Sequence, residues 1–315
     1  VLARIDNASD RDLGEGDRQA LLEVVTATVI ERFKGAEAVK LDFFLDAHGP
    51  AHYRAGDTAV LFLEKPNPQH PLSRYVAQGE LDYISQQVRN TEHIVEASAL
   101  TDYRWVLGNY STTLQEIDSP YNQTSNESIL LRMLSSTSPA LVESALIDWQ
   151  NAGAGLRFDH SDVQRLKAIT LEDAKPINLR LAILRTMASQ RLVGPQAWDP
   201  LFTQDTESDL IAVTRSTRGH ESRHFAPVLQ EMLKSSSEPL AEATARAMGN
   251  PAYTGSEAEV GKLLESNSQR LNYAAVAALA GINSPRSLTI LQEAGRYHPN
   301  KKVRRLIDAK LGVAD

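Results

Sequence analysis

A recurrence of small residues about every 31 positions dominates the second half of the chain. Ala145, Ala182, Ala212, Ala243, Ala274 and Leu306 are separated by 37, 30, 31, 31 and 32 residues. Three positions before each stand Val142, Leu179, Asp209, Leu240, Leu271 and Val303, so only Asp209 breaks an apolar rule. Five positions after four of these anchors come Met187, Met248, Leu279 and Leu311. Each is followed by a small residue, Ala188, Gly249, Ala280 or Gly312, which can end a helix or let a neighbour approach. A shorter helical segment precedes each anchor, at 127–135, 162–171, 197–204, 227–234, 257–265 and 285–296. Every unit therefore reads as helix, turn, helix. Neither helix can hide its apolar stripe alone, so the units must stack, with Ala182, Ala212, Ala243 and Ala274 expected in the core.

Upstream the period changes from helical to alternating. Residues 1 to about 20 are polar and rich in Asp and Gly, and read as a loose lead-in. Strand-like runs follow at 24–30, 39–45 and 58–64, and Pro66, Pro68 and Pro71 stop the last of them. From 75 to 114 the pattern is ambiguous, and 81–88 fits strand or helix. The Pro-, Asn- and Ser/Thr-rich stretch around 119–128 has the composition of a linker. The expected organisation is α+β: a β-rich module over 1–115, a linker over 116–128 and helical repeats over 129–315.

The repeats resemble HEAT-like repeats, particularly the short form of the phycobilisome-lyase-like group. Arg180-Leu181-Ala182 and Val303-Arg304-Arg305-Leu306 carry that family's apolar, basic, x, small-or-apolar heart of the second helix. The resemblance covers about 127–315. It implies a right-handed solenoid with the second helices lining an inner face that binds other proteins; some relatives act on bilins or DNA. The family's Asp at the start of the second helix is mostly missing. In the N-terminal region, the strings 24–35, ending Phe33-Lys34-Gly35, and 53–64, with Gly56-Asp57 before an apolar strand containing Phe62-Leu63, resemble the start of a netrin/TIMP-like, OB-type barrel of exported bacterial proteins. That likeness implies an exported protein, periplasmic or extracellular; the alternative is cytoplasmic.

Charge and composition exclude several classes. The formal net charge is −7, against an affinity driven by nucleic-acid phosphates or by anionic membranes. There is no cysteine, so disulfides, thiolate metal sites and a cysteine nucleophile are absent. No apolar run reaches the length of a membrane span, and no cofactor-binding motif stands out. His220-Glu221-Ser222-Arg223-His224 matches H-E-x-x-H, in which two His one turn apart bind zinc and the Glu acts as base. Its context points to a loop: Gly219 precedes it, Pro227 follows, Ala226 is pushed from helical geometry by that proline, and no third ligand is near. His48 and His52 flank Gly49-Pro50, which makes a turn. Asp42, Asp46 and Asp57 fall at strand ends and turns.

The remaining candidate site is cationic. Arg185, Arg215 and Arg246 each lie three residues after an anchor, so stacked repeats would align them on one face, able to grip carboxylates or phosphates. The competing reading is a solvated face balanced by nearby Asp and Glu. The sequence thus points to a non-enzymatic interaction scaffold with a protein partner, acidic where it meets these arginines. A zinc hydrolase using His220, Glu221 and His224 is the alternative, and bilin chemistry follows from the resemblance alone.

Overall fold

The computed structural model describes residues 1–12, 21–34, 38–45, 53–65, 69, 83–85, 94–116, 125–152, 156–218 and 223–312. Its contacts divide the chain into two compact units, Val1–Asp159 and His160–Asp315.

The first unit begins with a strand where the sequence reads as a lead-in. Strand β1 (Leu2–Asp12) pairs antiparallel with β2 (Leu21–Glu31), which pairs with β3 (Lys40–Leu45). Polar composition concealed β1, whose buried hydrophobic residues among those described, Leu2, Ala3 and Ile5, fall at its start. Alternation then sorts the faces. Ala3, Ile5, Val25, Ala27, Leu41, Phe43, Ala59 and Leu61 share one buried cluster. On the other face Thr26 Oγ1 donates to Asp42 at 2.6 Å, and Thr28 Oγ1 donates to Asp6 at 2.5 Å. Asp42 is therefore a cross-strand partner inside β3, not a strand-end residue. Asp57 does sit at a turn, accepting the Arg54 N–H at 2.7 Å beside Gly56, whose φ of +96° favours glycine.

The sheet order is β4 (Thr58–Val60), β1, β2, β3, β6 (Tyr83–Ser85), β5 (Leu63–Glu64), with β3 and β6 parallel. No ladder joins the edge strands β4 and β5, so the sheet is not closed as the barrel expectation required. The two edges are nonetheless successive parts of one run. Leu61 N–H bonds the Val1 carbonyl on the β1 side, and Leu63, two residues on, pairs with Ser85 of β6. Between Leu61 and Leu63 the run changes partners, from β1 to β6.

Among the described residues this unit also holds the α-helices α1 (Leu100–Glu116), α2 (Ser125–Ser135) and α3 (Pro139–Ala152). The ambiguous 75–114 segment thus ends in a helix, pinned by Asp102 to Arg132 at 2.6 Å and by Tyr110 to Asp148 at 2.7 Å. The hairpin α2–α3 is the first repeat, with Ala145 and Trp149 fully buried. Of the expected linker, 117–124 lies outside the described residues and 125–128 opens α2.

The second unit is built from hairpins. They are α4 (His160–Thr170) with α5 (Ile177–Ser189), a 3-10 helix (Pro195–Thr203) with α6 (Glu207–Ser216), α7 (Ala226–Leu233) with α8 (Glu238–Ala247), α9 (Glu257–Lys262) with α10 (Gln269–Ile282), and α11 (Pro285–Tyr297) with α12 (Lys301–Leu311). Each second helix packs on the next, in the row α5, α6, α8, α10, α12. One apolar core runs from Leu181 to Ile307 and includes Trp198, Phe225 and Met248. Burying each such side chain contributes about 1.5–3 kcal/mol.

Capping side chains fix where the second helices begin. Thr206, Ser237, Ser268 and Asn300 each accept an N–H of the first turn. These four stand six residues before Ala212, Ala243, Ala274 and Leu306, and do the capping that Asp does in the family. The basic position also has a structural role. Arg180 Nε donates to the Thr170 carbonyl at the end of α4, 2.7 Å away, and Arg304 donates to the His298 carbonyl just past α11. Each arginine closes the open end of the first helix of its own hairpin.

Ala243 and Ala274 are buried as expected, but Ala182 and Ala212 are only half-buried. In α6 the deepest positions are Val213, Thr214, Ser216 and Thr217. The residue after the anchor is buried in every repeat, as Leu146, Ile183, Val213, Thr244, Ala275 and Ile307 show. Ala226 departs from expectation too: it opens α7, with Pro227 in the first turn, where a proline's missing N–H costs nothing.

Candidate functional site

Helices α6 and α8 hold a groove where two of the candidate arginines meet. About 250 Å³ in volume, it is lined by Arg215, Arg218, Glu242, Ala243 and Arg246. Arg215 and Arg246 occupy the same phase of neighbouring second helices. Ala243 lies between them, small enough to leave room for long side chains. Arg185 is not among the lining residues; its Nε lies 3.3 Å from the Leu181 carbonyl of its own helix. The structure therefore brings two of the three sequence-selected arginines together and adds Arg218.

Glu242 organises the groove. Its side chain is only 11% exposed, and it accepts hydrogen bonds from Arg246 at 2.9 Å and from Arg270 of α10. Burial pushes its carboxyl up, but the bonds from Arg246 and Arg270 outweigh that and hold it below the usual carboxylate value. Glu242 thus stays ionised at neutral pH and fixes two guanidinium groups. Neither Arg215 nor Arg218 has an ion-pair partner among the described residues. The groove therefore carries unbalanced positive charge in a chain of net charge −7.

Sequence reasoning missed Arg218, Glu242 and Arg270. Glu242 and Arg246 were legible as an i, i+4 pair. Arg218 left a clearer trace, because it stands where other repeats have Ala188, Gly249, Ala280 and Gly312. The contact between Glu242 and Arg270 crosses 28 residues and left no local signal.

The histidine candidates do not converge. His220, Glu221, His48 and His52 lie outside the described residues. His224 is exposed in a 3-10 turn (Arg223–Phe225), with Nε2 2.7 Å from Asp199 Oδ1 and its ring against Phe225. Its described surroundings are a turn and the start of α7, not the middle of a helix able to present two His on one face.

No helix among the described residues is long and apolar enough to cross a membrane. Comparison with curated proteins yields no match. The family model of HEAT repeats matches residues 225–309, from the turn before α7 into α12. Over that segment the chain is similar to HEAT repeats, and the helical hairpins described above fit that likeness.

Proposed function

We propose that this chain is a non-catalytic interaction scaffold that holds a protein partner on its row of second helices. The observation that carries the reading is the unbalanced arginine groove between α6 and α8, set in a segment that abuts and enters the HEAT-like match. HEAT repeats generally mediate protein–protein contacts, and the groove's charge selects an acidic partner surface. Arg185, one helix along the row, extends the same face. Stacking of the hairpins into a solenoid, with this row innermost, belongs to the proposal.

Charge reversal tests it. Arg185→Glu, Arg215→Glu and Arg246→Glu combined should abolish partner capture from the native host; Arg185→Glu with Arg215→Glu should weaken it with the thermal midpoint nearly unchanged, whereas Arg246→Glu also removes a partner of Glu242 and should lower the midpoint. Capture that survives all three changes would remove the second-helix face from the reading. The scaffold reading also expects no stoichiometric zinc in the purified protein. One zinc per chain, lost in a His220→Ala, His224→Ala double variant, would replace the scaffold with a hydrolase.

The N-terminal module is proposed as an OB-type barrel. Support comes from the pairing circuit β1, β2, β3, β6 and the 58–64 run, with β3 and β6 parallel and the run returning to β1. The module's likeness to exported bacterial proteins supports a periplasmic or extracellular setting. Composition places its boundary at 116–128, so limited proteolysis should cut there. A cut near 159 would move the boundary to where the contacts divide.

A further inference from the structure

The geometry points to Arg215 and Arg218 as a two-guanidinium clamp for a carboxylate side chain of an acidic peptide segment. This rests on the second-helix row being the binding face, and narrows that face to one repeat.

Repeat equivalence gives the first argument. The position after the fifth residue past the anchor is small in four repeats, and structure shows why it can be. Gly249 packs on α10: a Cβ there would come within 3.3 Å of Ala278 Cα. Gly312 ends α12 with φ +68°. In the α6 repeat that position is Arg218, which is exposed. Asp209 and Thr217 break the pattern in the same repeat. A single unit carrying all three departures, beside the groove, marks a place where local rules gave way to another requirement.

Charge gives the second. Arg215 and Arg218 lie three residues apart at the end of α6, linked by a turn in which Arg218 N–H donates to the Arg215 carbonyl at 3.2 Å. At that spacing both side chains leave one face, where like charges repel. Glu242 cannot relieve them, because Arg246 and Arg270 already occupy it. An external anion can.

Size and valence identify the anion. About 250 Å³ admits a side chain and not a folded surface. Planar guanidinium forks match a carboxylate in two parallel hydrogen bonds. The ionised Glu242 sets a like charge beside any guest, which favours a singly charged carboxylate over a phosphate dianion.

A fluorescein-labelled glutamate dodecamer, titrated with the full chain at low ionic strength and read by anisotropy, tests the clamp. Arg215→Ala and Arg218→Ala should each weaken binding by about five- to tenfold, and Arg185→Ala by less than about twofold. Arg218→Lys, which keeps charge but not the fork, should recover only part of the loss and guards against a folding defect in the alanine variant. Loss on Arg185→Ala with Arg215→Ala and Arg218→Ala silent would overturn the clamp and leave the binding face standing. No binding by the unaltered chain would overturn both. Displacement of the peptide by low-millimolar inorganic phosphate, with acetate inert, would overturn the carboxylate assignment.

Discussion

Helix α8 has two neighbours in the same row and meets them by different means. Against α10 the contact is close and built largely on small residues. Ala245, Ala247, Ala274, Ala275 and Ala278 are buried, and Gly281 lies against the backbone of Gly249. Against α6 the contact keeps small polar groups. Thr214, Ser216 and Thr217 are buried, Thr217 Oγ1 bonds the Thr214 carbonyl at 2.8 Å, and the edge opens into the arginine groove. One repeat scaffold thus tolerates two solutions. Where small residues let backbones touch, the ionic contact sits beside them, as in the Glu242–Arg270 pair. Where the small-residue rule lapses, the freed edge can carry charge.

The largest test of that contrast is Gly281→Ala. A Cβ there would fall 2.3 Å from the Gly249 carbonyl oxygen, a backbone atom that cannot swing aside. Forcing the helices apart should cost about 3 kcal/mol in urea unfolding. A neutral result would mean that the α8–α10 contact is no tighter than its neighbour. Next comes Ser216→Ala on the α6 side. Trp198 is fully buried, and its Nε1 donates to Ser216 Oγ at 3.0 Å. Stranding that donor should cost about 1–2 kcal/mol, and no loss would show that the hydroxyl is dispensable.

Acid should act on two buried carboxylates. Glu242 and Glu257 both titrate below the usual value of 4.5 in the fold. For Glu257, burial pushes upward and is overcome by hydrogen bonds from Ser284 and the Gly255 N–H, and by the nearby Arg286 charge. A folded value below the unfolded one means that the unfolded chain holds the proton more tightly. These groups therefore stabilise the fold above about pH 4.5, and the contribution fades as pH falls through the lowered folded values. The thermal midpoint should drop across that window, and Glu242→Gln should shrink the drop. An unchanged profile would show that the ionic network of Glu242 contributes nothing to α8 or to its contact with α10. The smallest expected effect is Arg218→Ala, within about 0.5 kcal/mol of the unaltered chain. A large loss would make Arg218 a packing residue, like the alanines and glycines that replace it elsewhere.

The helical half was legible because its signals are local. Apolar spacing located each short first helix to within a few residues, and the small residues Gly249 and Gly312, after Met248 and Leu311, marked a close approach and a helix end. What escaped depends on distant partners. Strand β1 is polar along one face because Thr28 satisfies Asp6 across the sheet. Ala182 and Ala212 share the anchors' period but not their depth; the residue after each, Ile183 and Val213, is fully buried. Serines two residues apart, Ser235 with Ser237 and Ser266 with Ser268, repeat before α8 and α10, and in each pair the first accepts the N–H of the second. That motif was readable but lacks the Asp the family led one to seek. At the groove, Arg215 and Arg246 were found by phase alone. Arg218 was visible only as an exception, and Arg270 required the packing of α10 on α8.

The run 58–64 has a consequence for how the two units acquire their structure. Its first part closes on β1, and its second part waits for β6, itself paired with β3 some 40 residues earlier in the chain. Every ladder but the β1–β2 and β2–β3 hairpins requires a long loop to close before any contact rewards it. The hairpins of the second unit need only neighbours about 30 residues away at most. Refolding should therefore be polarised in time: helical signal returns early, and the sheet's pairing, with Phe43 and Leu61 entering its core, completes in a slower phase that does not depend on chain concentration.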